Sequence, residues 1–134
     1  MSELLDYGAG KGRLAVELRK IVERPLSIRH YDPAIPQWSA EAEPSEFVAC
    51  IDVLEHIEPD LLDNVLDDLE RVTLRAAMCT VHTGPALKML PDGRNAHLIQ
   101  QPAAWWLPRF ERRFAVATVN PLPEGFWVGL EPKP

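Results

Sequence analysis

A glycine-rich segment close to the start of the chain, residues 6–12 with the sequence DYGAGKG, constrains the fold more than any other feature. It overlaps the end of a short predicted strand at residues 4–7 and precedes residues 14–22, where apolar side chains at positions 14, 18, 21 and 22 have the spacing of a helix with one buried face. The glycines allow a tight turn and let a ligand approach the backbone closely. The segment therefore predicts a strand, a turn and a helix, the first unit of an α/β sheet.

The rest of the chain continues this alternation. The sequence predicts strands at residues 26–31, 47–51 and 76–83, and helices at 59–72 and 102–114, the second one broken or kinked at Pro108. Two final strands, at 114–119 and 126–130, are joined by a proline-rich bend and form an antiparallel hairpin. We expect one domain over residues 1–134.

Composition and charge exclude several functional classes. The formal net charge of −6 disfavours nonspecific binding to nucleic acid, because phosphate neutralisation needs an excess of Lys and Arg. The one basic cluster, Arg109, Arg112 and Arg113, is expected on the solvated face of a helix. No apolar run approaches the ~20 residues of a membrane span, and the first residues lack the pattern of a signal peptide. We therefore expect a cytoplasmic protein with no membrane partner.

The two cysteines, Cys50 and Cys79, lie in apolar segments that predict strand interiors. They lack the paired spacing of zinc sites, so the sequence predicts two reduced, buried thiols. On the same grounds it predicts no metal centre.

The residues around the glycine turn favour one kind of ligand over another. Dinucleotide sites have the pattern G-x-G-x-x-G/A, whereas here Arg13 occupies the third place and Gly12 comes one residue earlier. The carboxylate of Asp6 would repel a pyrophosphate and attract an ammonium group. The turn therefore favours S-adenosylmethionine, which carries an amino-acid tail and a sulfonium, over NAD or FAD.

Asp32 ends the second predicted strand, where α/β nucleotide sites place an acid that accepts hydrogen bonds from two ribose hydroxyls. An aspartate before Pro33 is also common in a turn that simply ends a strand. Coupled to the glycine turn, the ribose role is favoured. Pro33, Ala34 or Ile35 would then lie against the adenine.

Together these segments resemble class I S-adenosylmethionine-dependent methyltransferases. In that family D-x-G-x-G-x-G follows strand one, an acid ends strand two, and a segment like D-V-L-E-H-I follows strand four. Here the matching residues are 6–12, Asp32 and 52–57, in the same order over nearly the whole chain. The resemblance implies an α/β, Rossmann-like three-layer sandwich.

The resemblance also implies a site for the cofactor S-adenosylmethionine across the carboxyl ends of strands one, two and four in the numbering of the family. In this chain, the family's strand four corresponds to the predicted strand at residues 47–51. The glycines would line the methionine part, Asp32 the ribose, and Asp52 and Val53 the reactive end, with residues 54–56 as the following wall. The residues assigned to this site are Asp6, Gly8, Gly10, Gly12, Asp32, Pro33, Asp52 and Val53.

The chain departs from the family at two places. Little sequence precedes strand one, so the helices that often cover the site are missing, and a truncated copy of a larger enzyme is an open alternative. Residues 33–46 are too few for a helix and a third strand. We therefore expect a mostly parallel sheet of about six strands with a C-terminal antiparallel hairpin. Strand two then lies at an edge that is open to a partner chain, for example in a homodimer.

Methyl transfer depends mainly on positioning, because the sulfonium is a good leaving group. A base is needed only where the acceptor must lose a proton. The candidates are His97, His82 and His56, which fall at strand ends and in a loop where ligands collect in such sheets. His97 is favoured over its loop neighbours Asp92 and Arg94, and a structural role remains the alternative for each histidine.

The sequence thus predicts methyl transfer to a small-molecule or metabolite acceptor by direct in-line displacement. The N-P-P-Y pattern of enzymes that methylate base amines is absent after the strand at 47–51, so nucleic acid is not expected as a substrate. Two alternatives remain. One is a non-catalytic S-adenosylmethionine-binding or accessory module, and the other is a nucleotide-dependent oxidoreductase, which Asp6 and Arg13 disfavour.

Overall fold

Strands and helices alternate along the chain in the computed structural model, which describes residues 3–134. The strands are β1 (Glu3–Tyr7), β2 (Ser27–Tyr31), β3 (Ser45–Ile51), β4 (Thr73–His82), β5 (Phe114–Leu122) and β6 (Gly125–Pro132). The helices are α1 (Arg13–Ile21), α2 (Leu62–Val72) and α3 (Ala103–Glu111). Short 3-10 turns occur at Pro36–Trp38, Leu54–His56 and Pro59–Leu61.

All six strands belong to one sheet in the order β2-β1-β3-β4-β6-β5. The first four pair in parallel, whereas β6 runs antiparallel to both β4 and β5. This confirms the predicted mostly parallel, six-stranded sheet with a C-terminal antiparallel hairpin. β2 lies at an edge, and pairing of that edge with a second copy stays a prediction.

The main core lies between the sheet and the helices α2 and α3. Trp106 and Phe110, one turn apart on α3, are fully buried there. The buried residues of α2 recur at helical spacing, at Leu62, Leu66, Leu69 and Val72. The sheet contributes alternate positions of its central strands, including Leu5, Tyr7, Val48, Cys50, Cys79 and Val81. Because alternate residues of a strand face opposite sides, this core occupies one face of the sheet.

The opposite face of the sheet packs against α1, which completes the third layer. Leu14 and Leu18 of α1 border an apolar cavity of about 340 Å³ together with Phe47 of β3. The prediction that Ile21 belongs to a buried face is wrong, because that side chain is 75% exposed. Helical spacing determines the side on which Ile21 lies, but no described residue covers that end of the helix.

The helix α3 and the arginines around it differ from a simple solvated helix. α3 continues through Pro108, where the sequence predicted a break or kink. The basic cluster is not a free patch, because the Arg113 guanidinium pairs with Asp63 and Asp67 at 3.3 and 2.7 Å. The guanidinium of Arg109 lies over the Trp105 ring, 3.5 Å from its centroid.

The cysteine prediction is confirmed. Cys50 and Cys79 face each other in register on β3 and β4, and both are free thiols without solvent exposure. None of the helices within residues 3–134 has the length and apolar composition needed to cross a membrane.

Replacing Trp106 by alanine is expected to lower the free energy of unfolding by about 3–5 kcal/mol, because a fully buried ring is lost and a cavity remains. The indole N–H also donates to the backbone oxygen of Gln101 at 3.1 Å, and that bond is lost as well. Urea unfolding followed by circular dichroism measures the change. Leu87→Ala, at a fully exposed side chain, is the control and should shift stability by less than about 0.5 kcal/mol. Equal changes for the two variants would contradict the assigned core.

Candidate functional site

The carboxyl ends of the parallel strands β1, β2 and β3 meet at one edge of the sheet, where open α/β folds bind their ligands. Three connections leave this edge: the glycine turn at residues 8–12, residues 32–38 after β2, and residues 52–57 after β3. The residues that the sequence assigns to a cofactor lie on these connections, except Asp6, which lies within β1.

Backbone hydrogen bonds tie the glycine turn to the end of β2. The N–H groups of Gly8 and Ala9 both donate to the backbone oxygen of Tyr31, at 2.7 and 3.0 Å. The N–H of Gly10 donates to Oδ2 of Asp32 at 2.9 Å, and the N–H of Ala34 donates to Oδ1 at the same distance. Each carboxylate oxygen of Asp32 therefore keeps one lone pair for a further donor, such as a hydroxyl.

Two glycines of the turn are needed for different reasons. Gly8 has φ +81°, and a Cβ at this position would collide with the side chain of Val53 in the connection after β3. Gly10 has φ +54°, but the place of its missing Cβ is open. Gly8 thus lets two connections pack together, and Gly10 leaves its backbone open to a ligand.

Asp52, the first residue after β3, adopts the left-handed conformation with φ +54°, which is uncommon for any residue other than glycine. Its N–H donates to the backbone oxygen and to Oγ1 of Thr80 at 3.2 and 2.9 Å. The Thr80 hydroxyl in turn donates to Oδ1 of Asp52 at 2.8 Å. Such strained positions are held by their surroundings and cluster at ligand sites.

A cavity of about 370 Å³ opens between these connections, in the size range of small-molecule sites. Five of the eight residues assigned to the cofactor line it, namely Gly8, Asp32, Pro33, Asp52 and Val53. Its other lining residues are Tyr7, Tyr31, Ala34, His56, Ile57 and Val65. Gly10 and Gly12 belong to the adjoining turn, so the structure brings the predicted residues together at one place.

Asp6 precedes the turn as a buried carboxyl, 4% exposed, whose Oδ2 has no hydrogen-bond partner. Burial raises the pKa of this carboxyl, because desolvation disfavours the charged form. A buried acid with a free oxygen next to a glycine turn is suited to a cationic group of a ligand.

A second cavity of about 890 Å³ adjoins the same edge, between the end of β4 and the β5–β6 bend. His82 and His97 line this cavity, whereas His56 lines the first one. The three rings form a cluster, because the His97 ring centroid is 4.7 Å from those of both His56 and His82. The structure therefore joins the three predicted histidines at the boundary between the two cavities.

Hydrogen bonds distinguish the members of this cluster. Nδ1 of His56 is 3.0 Å from the backbone oxygen of Ala96, and Nδ1 of His97 is 2.7 Å from that of Gly84. A carbonyl accepts only, so each Nδ1 carries a proton, and in the neutral ring Nε2 keeps a free lone pair. His82 differs: its Nδ1 accepts from the Gly84 N–H at 3.2 Å, and its Nε2 pairs with Glu124 at 2.9 Å. Partial desolvation, aided by the neighbouring His97, lowers the pKa of His56, although the ring stays exposed on one side.

Glu55 is a candidate residue to which the sequence gave no individual role. Its side chain is fully buried, its Oε2 accepts the N–H of His82 at 3.2 Å, and its Oε1 has no partner. Burial raises the pKa of this carboxyl. A glutamate between Leu54 and His56 in the turn after β3 was the only sequence signal, and that signal alone does not show that the side chain turns inward.

The loop residues Asp92 and Arg94 have a structural role in the described fold. The Arg94 guanidinium makes two hydrogen bonds to the Glu58 carboxylate, at 2.8 and 2.9 Å, and a third to Asp92 at 2.8 Å. All three side chains are about half exposed. They fasten the loop near His97 rather than line either cavity.

No protein-family model matches the chain, and a search of curated proteins finds no match. Solved structures do match. One is the 1,6-didemethyltoxoflavin-N1-methyltransferase of Burkholderia thailandensis with bound 1,6-didemethyltoxoflavin and S-adenosylhomocysteine. It is 15% identical, with a TM-score of 0.70 over 99% of this chain and 72% of that chain.

Two other structures extend this comparison. The mitomycin 7-O-methyltransferase MmcR is 10% identical, with a TM-score of 0.74 over 98% of this chain and 49% of its own. A protein described as a pericyclic reaction enzyme is 11% identical, with a TM-score of 0.67 over 98% of this chain and 43% of its own. The chain thus spans about half or less of these two proteins. At such identities the likeness establishes the fold, which is the Rossmann-like fold of the class I methyltransferases.

Gly8→Ala is expected to destabilise the chain more than Gly93→Ala. Both glycines have a positive φ, +81° and +89°, so alanine costs roughly 1–2 kcal/mol at either position. Only at Gly8 does the new Cβ also collide with a neighbour, Val53, and such overpacking adds about 1–3 kcal/mol. Urea unfolding of both variants tests this. Equal losses would show that the two connections do not pack as described.

Proposed function

We propose that the chain binds S-adenosylmethionine at this edge of the sheet and transfers its methyl group to a small molecule in the adjoining cavity. The observation that carries the proposal is the first cavity, whose wall combines Asp32, Gly8 and the strained Asp52 at the carboxyl ends of parallel strands. The fold likeness to methyltransferases supports the same choice.

The residues present fit this cofactor. Asp32 offers a free lone pair on each oxygen for the two ribose hydroxyls, while its bonds to the N–H groups of Gly10 and Ala34 fix its orientation. Pro33 and Ala34 provide an apolar wall for the adenine. Near the turn, the free Oδ2 of Asp6 suits the ammonium of the methionine part. When bound, the cofactor supplies a methyl group on a positively charged sulfur.

The chain's own histidines are placed to orient an acceptor. Nε2 of His56 and Nε2 of His97 have free lone pairs, which can accept hydrogen bonds from a hydroxyl or amine. His56 lines the first cavity and His97 the second, so a small molecule held at Nε2 of His97 in the second cavity lies next to the first. Holding the acceptor in line is the contribution that methyl transfer needs most.

A small molecule is favoured over nucleic acid as the acceptor. The net charge is −6, and the Arg113 of the one basic cluster is paired with acidic residues of α2. The second cavity, about 890 Å³, accommodates a molecule of drug size. Two structural neighbours are named for small-molecule methylation, of mitomycin and of 1,6-didemethyltoxoflavin.

Calorimetric titration tests the cofactor site. S-adenosylmethionine and S-adenosylhomocysteine are expected to bind with micromolar affinity, and Asp32→Ala should weaken both by at least about tenfold because charge-assisted hydrogen bonds to the ribose are lost. NADH should not bind. Asp60→Ala removes the same charge from an exposed position outside both cavities and should leave the affinities unchanged. Failure of the wild-type chain to bind either adenosyl ligand would refute the proposal.

A second candidate function is adenosyl-ligand binding without methyl transfer. The observation that favours it is the shared fold of the pericyclic reaction enzyme, which shows that this fold does not by itself imply methyl transfer. A screen of small hydroxyl and amine compounds with S-adenosylmethionine labelled in the methyl group separates the two functions.

For an acceptor found in that screen, His97→Ala is expected to lower the transfer rate at least about tenfold, because the acceptor loses an orienting contact. In metal-free buffer, the affinity for S-adenosylhomocysteine should stay unchanged, since His97 does not line the first cavity. Rate measurement at saturating cofactor, together with calorimetry, checks both parts. Parallel losses of rate and affinity would instead indicate that His97 supports the cofactor site.

A further inference from the structure

One carboxylate and two imidazoles converge where the two cavities meet. Glu55, His56 and His97 each offer a ligand atom, and these atoms all lie within 4.8 Å of one another. We propose that these three residues bind a divalent transition-metal ion of the zinc class. The site takes its ligands from the turn after β3 and from the loop that precedes α3.

The hydrogen bonds of both histidines are those of metal ligands. Each ring donates its Nδ1 proton to a backbone oxygen, of Ala96 for His56 and of Gly84 for His97. Metal-bound histidines characteristically make such a bond with the ring nitrogen that does not touch the metal, and the bond fixes the tautomer and the ring orientation. In each neutral ring, Nε2 is therefore the nitrogen that could bind an ion.

Glu55 supplies the independent argument for a cation. It is fully buried, and its Oε1 has no hydrogen-bond partner, although Oε2 accepts the N–H of His82. A buried carboxyl oxygen without a partner costs free energy, and buried charges are normally paired or coordinate a metal. An ion held by the two histidines would satisfy this oxygen.

His82 shows that the arrangement is more than a cluster of packed rings. Its ring also contacts His97, but both of its nitrogens already have partners, the Gly84 N–H and the Glu124 carboxylate. Within this cluster of three rings, His56 and His97 each keep a nitrogen without a hydrogen-bond partner, and His82 does not. These hydrogen bonds thus distinguish His56 and His97, which are the proposed ligands, from His82, which has no nitrogen left for an ion.

The donor set determines the kind of ion. Two imidazole nitrogens and one carboxylate oxygen, without a thiolate, suit zinc, iron, nickel or copper better than magnesium or calcium. Zinc ligands lie about 2.0–2.2 Å from the ion, so the three ligand atoms must lie closer together than 4.8 Å when the ion is bound, which requires small shifts of these side chains. Three protein ligands leave a position for an oxygen ligand, as in catalytic zinc sites.

Sequence spacing gave no sign of this site. Glu55 and His56 are adjacent, but His97 follows 41 residues later, in a loop with no metal-binding pattern. An ion would occupy the two Nε2 lone pairs, so an acceptor would then bind through the open position of the ion instead of through the histidines themselves, and this further step rests on the proposed methyl transfer. The binding of the ion itself does not depend on the proposed methyl transfer.

Titration of the purified full-length chain with Co²⁺, followed by visible absorption, and with Zn²⁺, followed by calorimetry, tests the proposal. We expect one ion per chain with micromolar or tighter affinity. Glu55→Gln, His56→Ala and His97→Ala should each weaken binding by at least about tenfold. His56 is exposed, so His56→Ala decides the matter even if a buried variant fails to fold.

Two histidine variants serve as controls. His30→Ala removes a ring that stacks on Trp38 near β2, and His82→Ala removes the neighbour with no free nitrogen. Both should retain metal binding. Absence of binding, insensitivity to His56→Ala, or an equal loss in His30→Ala would overturn the proposal. S-adenosylhomocysteine affinity of the metal-free chain is measured separately, so failure of the cofactor site and failure of the metal site are distinguishable.

Discussion

The carboxylate of Asp32 links the two turns on which the site depends. It accepts hydrogen bonds from the Gly10 N–H in the glycine turn and from the Ala34 N–H in the connection after β2. The Tyr31 carbonyl accepts from the N–H groups of Gly8 and Ala9 in the glycine turn. The turn therefore has a defined shape before any ligand arrives, and the N–H groups that Asp32 holds in turn fix the orientation of its carboxylate. Such preorganisation lowers the entropy that binding must overcome.

Two buried carboxyls near this edge, Asp6 and Glu55, each leave one oxygen without a partner. Burial raises the pKa of both, so each favours folding in its protonated form, and this stability is lost as the pH rises through the folded pKa. Neither group is explained by the stability of the fold. Both are explained if cations, an ammonium near Asp6 and a metal ion at Glu55, complete their environments, as expected where function is retained at the expense of stability.

Local patterns predicted most of the fold, and long-range contacts account for what they missed. The glycine turn, Asp32 and the segment after β3 can be predicted from short stretches of sequence, and five of the eight residues that the sequence assigns to a cofactor line one cavity. The burial of Ile21 was mispredicted because helical spacing does not reveal whether anything covers a helix. The inward orientation of the Glu55 side chain and its closeness to His97 depend on contacts between segments 42 residues apart in the sequence. The spacing of apolar residues along a helix or strand gives no information on such contacts.

The two proposed sites share His56, so binding at one would affect the other. His56 lines the first cavity through the turn after β3, and that turn begins at Asp52, which Thr80 braces from β4. Asp52 also borders a small cavity that it shares with His82 and the β5–β6 bend. An ion that draws His56 towards His97 would therefore move the wall of the cofactor cavity. By linkage, the ion and the adenosyl ligand must then change each other's affinity by the same factor.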